Sequence, residues 1–319
     1  SYNTALGACT LYANTTGAKN TGIGYVALRE NTTGSWNNAV GYGALTSNTT
    51  GYFNTAIGTK SLHSSTTGTN NTASGAYAMV YNTTGCNNTA SGYKSLWCNT
   101  TGDKNTGIGR SALAANTTGA ENTALGYLAL STNTTGVCNT AVGKSALAKS
   151  STGDRNVAVG MWSSYCNTTA CNNTAVGFES LKCNTTGYQN TASGAYALKL
   201  NTTGHHNTGI GYVALCANTT GLYNAGFGSC VLSNTTTGVS NTGIGHAAVR
   251  ANTTGSNNVG IGHGALLTST TGANNTAIGK DALYSNTTAS NNVAVGHASL
   301  LYNSTGTNNV GVGKNTLNA

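Results

Sequence analysis

Residues 122–138 read N-T-A-L-G-Y-L-A-L-S-T-N-T-T-G-V-C, and this stretch returns in varied form along the whole chain. Its first Asn recurs every 17 residues from Asn3 to Asn309, without an insertion or deletion. A Gly follows each of these nineteen Asn residues by four positions. A period this strict indicates one small structural unit stacked on copies of itself.

The repeat length and composition predict the fold. Counting the recurring Asn as position 1, the consensus is N-T-A-V-G-Y-x-A-L-x-x-N-T-T-G-x-x. Seventeen residues are too few for a pair of helices, and abundant Gly, Thr, Asn and Val disfavour helix. We therefore expect an all-β, parallel β-solenoid with one coil per repeat and about nineteen coils. Residues 1–319 are interpreted as a single array and as part of a longer fibre.

The apolar columns suggest a narrow core. Position 4 is mostly β-branched, as in Val40, Ile57 and Ile108, and position 9 is usually Leu, as in Leu113. Both columns are expected to face the interior. Position 3 is Ala or Gly, and adjacent strand residues face opposite sides. The small column is therefore expected to lie against another sheet or another chain.

Two Gly columns predict corners. Position 5 is Gly in all nineteen repeats, as expected where the backbone needs a positive φ or a close approach. Position 15 is Gly in most coils and ends the word N-T-T-G, which is typical of a tight turn. Ala170 and Ala289 are exceptions at position 15.

Two Asn columns have different predicted roles. The Asn at position 1 never has Ser or Thr two residues later, so it predicts a structural ladder of side-chain hydrogen bonds. The Asn at position 12 begins N-T-T or N-S-T, which matches the N-glycosylation acceptor rule. A turn without any sugar is the alternative interpretation. The predicted glycosylation sites, with Asn234 one residue out of phase, are Asn14, Asn31, Asn48, Asn82, Asn99, Asn116, Asn133, Asn167, Asn184, Asn201, Asn218, Asn234, Asn252, Asn286 and Asn303.

Four further acceptor words of the form N-N-T begin at position 17. They start at Asn70, Asn87, Asn172 and Asn274.

The cysteines and histidines give little support for metal or redox chemistry. Cys166 and Cys183 share position 11 in neighbouring coils, so a disulfide between them is predicted, with two free thiols as the alternative. No C-x-x-C occurs. His246 and His263 share position 6, which other residue types fill elsewhere. No metal site and no cofactor are predicted.

Composition argues against several classes of function. Net charge is +8, but the 14 basic residues are scattered, whereas nucleic-acid binding needs a concentrated basic surface. No apolar run approaches the ~20 residues of a membrane span. Six acidic residues form no evident catalytic pair, so we expect neither an enzyme, nor a nucleic-acid partner, nor a membrane span.

The words N-T-A-V-G at 139–143, N-V-A-V-G at 156–160 and N-T-A-I-G at 54–58 carry a family resemblance. They resemble the head repeats of YadA-like trimeric adhesins and similar repeats of phage tail fibres and surface fibre proteins. The resemblance implies a parallel β-roll, a trimer and surface attachment, and it implies no catalytic residues. The repeat here is three residues longer than is usual in that family.

These observations predict an extracellular or surface-exposed structural or adhesive fibre that displays a row of N-glycosylated N-T-T-G turns. Its expected partners are covalent glycans and further copies of itself. The alternative is the receptor-binding shaft of a phage tail fibre or trimeric adhesin. Ice binding is a third interpretation, disfavoured because the Thr residues at positions 13 and 14 are adjacent and cannot face one strand surface.

Overall fold

The computed structural model describes residues 2–317, and this part of the chain is all-β. The chain forms two compact units, Ser1–Asn156 and Val157–Ala319, each built from the same 17-residue coil. Each coil contributes one three-residue strand at positions 2 to 4. The strands of the first unit are β1 Thr4–Leu6, β2 Thr21–Ile23, β3 Asn38–Val40, β4 Thr55–Ile57, β5 Thr72–Ser74, β6 Thr89–Ser91, β7 Thr106–Ile108, β8 Thr123–Leu125 and β9 Thr140–Val142. Those of the second are β10 Val157–Val159, β11 Thr174–Val176, β12 Thr191–Ser193, β13 Thr208–Ile210, β14 Ala225–Phe227, β15 Thr242–Ile244, β16 Val259–Ile261, β17 Thr276–Ile278, β18 Val293–Val295 and β19 Val310–Val312.

Consecutive strands of each unit pair in parallel, and partners lie 17 residues apart. In β8 and β9, for example, Thr123 pairs with Thr140 and Ala124 with Ala141. Equivalent residues therefore form columns across the coils of a unit. The predicted β-solenoid with one coil per repeat is confirmed.

Outside the strands, backbone hydrogen bonds also connect neighbouring coils. Some of the donating residues have a left-handed conformation that the sequence did not predict. Positions 7, 9 and 17 are left-handed although they are rarely Gly, as at Ser111, Leu113 and Glu121, whose φ angles are 57°, 53° and 59°. Each such residue costs about 1 kcal/mol or more. Each also donates its N–H to a neighbouring coil over 3.0 Å, to the carbonyls of Tyr93, Ala129 and Asp103 in turn. The inter-coil bonds offset the backbone strain.

The interior differs from the sequence prediction at one column. Between the first and the last coil, Leu113 and the other position-9 side chains are buried, as expected, whereas Leu317 in the last coil is 59% exposed. The small residues of position 3, such as Ala124, are buried with them, whereas Ile57 and Ile108 of position 4 are 47% and 39% exposed. The expectation that position 4 faces the core is wrong. The Leu column fills the narrow interior, so only a small residue fits on the strand side that faces it.

The position-5 corner requires Gly for two reasons. Gly109 has a φ of +124°, which side-chain-bearing residues rarely adopt. A Cβ on Gly109 would also lie 2.7 Å from the carbonyl oxygen of Gly126 in the next coil. The corner therefore sets how closely the coils stack.

Candidate functional site

Where both columns have Asn, the two side chains of a coil converge on one carbonyl. In the coil 105–121, Asn105 Nδ2 donates to the Gly119 carbonyl over 2.8 Å, and Asn116 Nδ2 donates to the same oxygen over 2.9 Å. Asn105 Oδ1 accepts the backbone N–H of Asn122 in the next coil over 3.0 Å. The position-1 column thus closes each coil on itself and ties it to the next, which is the predicted ladder.

The position-12 column is a second buried ladder. Asn116 Nδ2 donates to Asn99 Oδ1 over 2.7 Å as well as to the Gly119 carbonyl, so both of its N–H groups are used within the interior. A sugar linked to Nδ2 replaces one of these N–H groups. A glycosylated member would therefore have to leave the ladder and the interior.

The predicted glycosylation sites fall into three groups by burial. Asn234 is exposed, and Asn14 and Asn303, in the first and last coils of the column, are half-buried. Twelve are fully buried, namely Asn31, Asn48, Asn82, Asn99, Asn116, Asn133, Asn167, Asn184, Asn201, Asn218, Asn252 and Asn286. Glycosylation of this column stays a prediction.

Ser and Thr substitutions interrupt the second ladder. Where Ser65 replaces the Asn, its hydroxyl and the preceding Asn48 Oδ1 are both buried without a hydrogen-bond partner. Ser150, Thr235 and Ser269 create the same kind of interruption. Each leaves an acceptor that an Asn in the next coil would have satisfied, so these coils are weak points of the polar network.

The exposed side of the sheet carries no charged residue, and its position-4 side chains are those that the sequence placed in the core. In each unit, we call the surface formed by the side chains at positions 2 and 4 of the strands the strand face. The strands of this face are β1–β9 in the first unit and β10–β19 in the second. All 20 charged residues of the chain lie at other positions. The face carries mostly Thr at position 2 and Val, Ile, Leu or Ser at position 4. The face is therefore uncharged and partly apolar, with exposed aliphatic side chains at position 4, and exposed apolar side chains grouped on one surface are typical of an interaction site.

A shallow groove in the first unit combines aromatic rings with ammonium groups. It encloses about 310 Å³, and Lys94 Nζ lies 4.5 Å from the centre of the Trp97 ring. Flat rings beside positive charge can bind a planar or ring-shaped anionic ligand by stacking and ion pairing. The groove is lined by Lys60, Tyr77, Val80, Tyr81, Tyr93, Lys94 and Trp97.

One carboxylate is buried between two lysines. Glu179 contacts Lys182 Nζ over 2.6 Å and Lys199 Nζ over 2.9 Å, and its side chain is 9% exposed. Burial is the largest effect on the Glu179 pKa and raises it, but the hydrogen bonds and charges of the two lysines together outweigh burial. The pKa of Glu179 is therefore lowered, and the carboxylate stays ionised.

The thiols predicted to pair lie beside this cluster. Burial raises the pKa of the Cys183 thiol, and the neighbouring Cys166 adds to the rise. A third thiol, Cys216, also interacts with Cys183. All three are free thiols in the structure, so the Cys166–Cys183 disulfide stays a prediction.

The histidine pair singled out from the sequence forms a stack. The rings of His246 and His263 lie 5.2 Å apart, and His263 Nδ1 is 3.7 Å from Asp281 Oδ1. Within residues 2–317, no three His, Cys, Asp or Glu side chains gather closely enough to hold a metal ion.

No protein-family model matches the chain, and no curated protein matches it. Within the described residues, the fold provides no helix of the length and apolarity that a membrane crossing requires.

Proposed function

We propose that this chain is a segment of an extracellular structural or adhesive fibre. The observation that carries the proposal is the direction of the hydrogen bonds, because strands, left-handed corners and Asn ladders all bond from coil to coil within each unit. Such a network resists bending and stretching, and it needs no thick core. No catalytic activity is part of the proposal.

The partner in this proposal is a further copy of the same chain, and the contact surface is the strand face. Ile108 and Leu125 on this face are 39% and 45% exposed, and no charge opposes their burial. A second copy has the same spacing between coils, so its apolar columns can match these along the whole face. A partner of different spacing would match only over a few coils.

The lysine-containing groove supports the adhesive part of the proposal, since it joins stacking surface to positive charge. Placement outside the cell is also part of the proposal, because the acceptor words of this chain are used in secreted proteins.

Self-association can be tested with charges placed on and off the strand face. Analytical ultracentrifugation and negative-stain microscopy of the full chain should show assemblies, and Ile108→Lys with Leu125→Lys should reduce them to monomers. The matched control is Thr101→Lys with Thr118→Lys, two exposed positions outside the face, which should still assemble. A wild-type chain that stays monomeric at all concentrations would refute the proposal. A defined trimer without longer assemblies would favour the shaft of a phage tail fibre or trimeric adhesin.

Ice binding is a second candidate, and one observation favours it. Thr106 and Ile108 are two residues apart in β7 and lie on the same exposed side, unlike the adjacent Thr residues of positions 13 and 14. Thr and β-branched residues repeat in this arrangement along the strand face, which could order a layer of water. A thermal-hysteresis measurement on the folded chain tests this candidate, and zero hysteresis eliminates it.

A further inference from the structure

Some acceptor words for N-glycosylation lie outside both ladders. The four N-N-T words place their acceptor Asn at position 17, in the turn before the strand, and Asn70, Asn87, Asn172 and Asn274 are all exposed. Asn234 is exposed as well, because Thr235 takes the ladder position in its coil. These five amides project from the surface of their units.

The contacts of the two groups differ. Asn99 Nδ2 donates to Asn82 Oδ1 over 2.7 Å and to the Gly102 carbonyl over 2.9 Å, which uses both of its N–H groups in the interior. Asn274 Nδ2, in contrast, donates to Asn291 Oδ1 over 3.2 Å at an exposed site. Losing one exposed N–H costs little, since water replaces the partner, whereas a buried acceptor left unpaired costs about 1–3 kcal/mol.

We propose that the N-linked glycans of this chain are carried by Asn70, Asn87, Asn172, Asn234 and Asn274, and that the fully buried position-12 Asn residues stay bare in the folded protein. This inference depends on the secretory placement in the proposed function. The chain then carries a sparse set of glycans instead of a regular row, and four of the five glycans lie at position 17.

The chemistry needs a lipid-diphosphate-linked oligosaccharide as the sugar donor. The Asn Nδ2 forms a bond to C1 of the first sugar, the bond from C1 to the diphosphate oxygen breaks, and Nδ2 loses one proton. The lipid diphosphate is the leaving group, and nothing is oxidised or reduced. An exposed Nδ2 keeps its remaining N–H free for water after this step.

The chain contains its own matched controls. Asn257, Asn291 and Asn308 occupy the same exposed position 17 and are also followed by Asn, but Val stands where the acceptor rule needs Thr or Ser. These positions should therefore carry no sugar. Val259→Thr completes the word at Asn257 and should create a new glycan site there without touching the ladders.

The experiment is site mapping on the full chain secreted from a eukaryotic host behind an added secretion signal. Enzymatic deglycosylation in H₂¹⁸O converts each sugar-bearing Asn to labelled Asp, and peptide mass spectrometry locates the label. In the folded, secreted fraction we expect label at the five exposed sites and none at the buried position-12 sites. Thr72→Ala should remove the label at Asn70 alone, and Val259→Thr should add one at Asn257.

Label at the buried position-12 Asn residues in folded protein would overturn the inference. So would the absence of label at every exposed site, Asn257 of the Val259→Thr variant included. Neither result affects the self-association test, which reads assembly and not sugar, so failure of this inference and failure of the fibre proposal can be told apart.

Discussion

The position-1 ladder makes a quantitative prediction for Asn105→Ala. The substitution removes the hydrogen bond from Asn105 Nδ2 to the Gly119 carbonyl and two bonds that Asn105 Oδ1 accepts from Asn122. Gly119 keeps Asn116 as a donor, but the backbone N–H of Asn122 loses its partner in a fully buried position. Three lost bonds and one buried unpaired N–H together should destabilise this region by about 4 kcal/mol.

Hydrogen exchange measured by mass spectrometry is the suitable assay, because repeat arrays need not unfold in a single step. In peptides spanning 105–125 the exchange rate of protected amides should rise about a thousandfold, since each 1.4 kcal/mol corresponds to a factor of ten. Coils near the start of the same unit should be unaffected, because stability in such arrays is transmitted mainly between neighbours.

The control is Thr118→Ala, an exposed side chain in the same coil, which should change stability by less than about 0.5 kcal/mol. If Asn105→Ala changes exchange at Asn122 by less than tenfold, or no more than Thr118→Ala does, the ladder does not carry the stability assigned to it. That result would also weaken the fibre proposal, which depends on the same network.

Three further predictions concern single coils. Ser65→Asn should give Asn48 Oδ1 a hydrogen-bond donor, restore the second ladder and raise the free energy of unfolding by about 1 kcal/mol. A fall in the urea midpoint of the bacterially expressed variant would contradict this. Gly109→Ala should lower the free energy of unfolding by about 3 kcal/mol or more, because the new Cβ would clash with backbone atoms of the next coil. Gly43→Ala, at a left-handed position where the nearest atom to a Cβ is 3.4 Å away, should lower it by only about 1 kcal/mol in the same denaturation series. The lowered pKa of Glu179 means that its ion pairs stabilise the native state above the ordinary carboxyl pKa of 4.5, and that this contribution is lost as pH falls through the native pKa. Thermal unfolding between pH 7 and pH 3 should therefore be less pH-dependent in Glu179→Gln, and an unchanged pH profile would contradict the assignment.

The sequence predicted the features that depend on repetition and on backbone chemistry. A fixed period with Asn at position 1 and Gly at position 5 implies stacked coils, since equivalent residues must meet their copies in the next coil. The invariance of Gly109 and its equivalents indicated a corner that tolerates no Cβ. The Asn ladder followed from a column of amides that can donate and accept along a stack.

From the sequence, the wrong side of the strand was predicted to face the core. Hydrophobicity favoured burial of Ile57 and Ile108, because a three-residue strand carries too little alternation to fix which side is inside. The structure reverses the assignment because Leu113 and its equivalents already occupy the interior, and only Ala or Gly at position 3 fits against them. Left-handed residues such as Ser111 gave no signal, since nothing in a Ser or Leu marks a positive φ.

The same distinction separates the two kinds of acceptor Asn. The N-x-T motif consists of three consecutive residues, and Asn99 and Asn87 each begin one. Only the folded coil decides that Asn99 lies in the interior with both N–H groups bonded, while Asn87 stands on the surface. By itself the sequence determined the period and therefore the stacking of coils, because repetition is a property of the chain. Tertiary structure alone decided which side chains point inward, because that depends on how much volume the neighbouring residues leave.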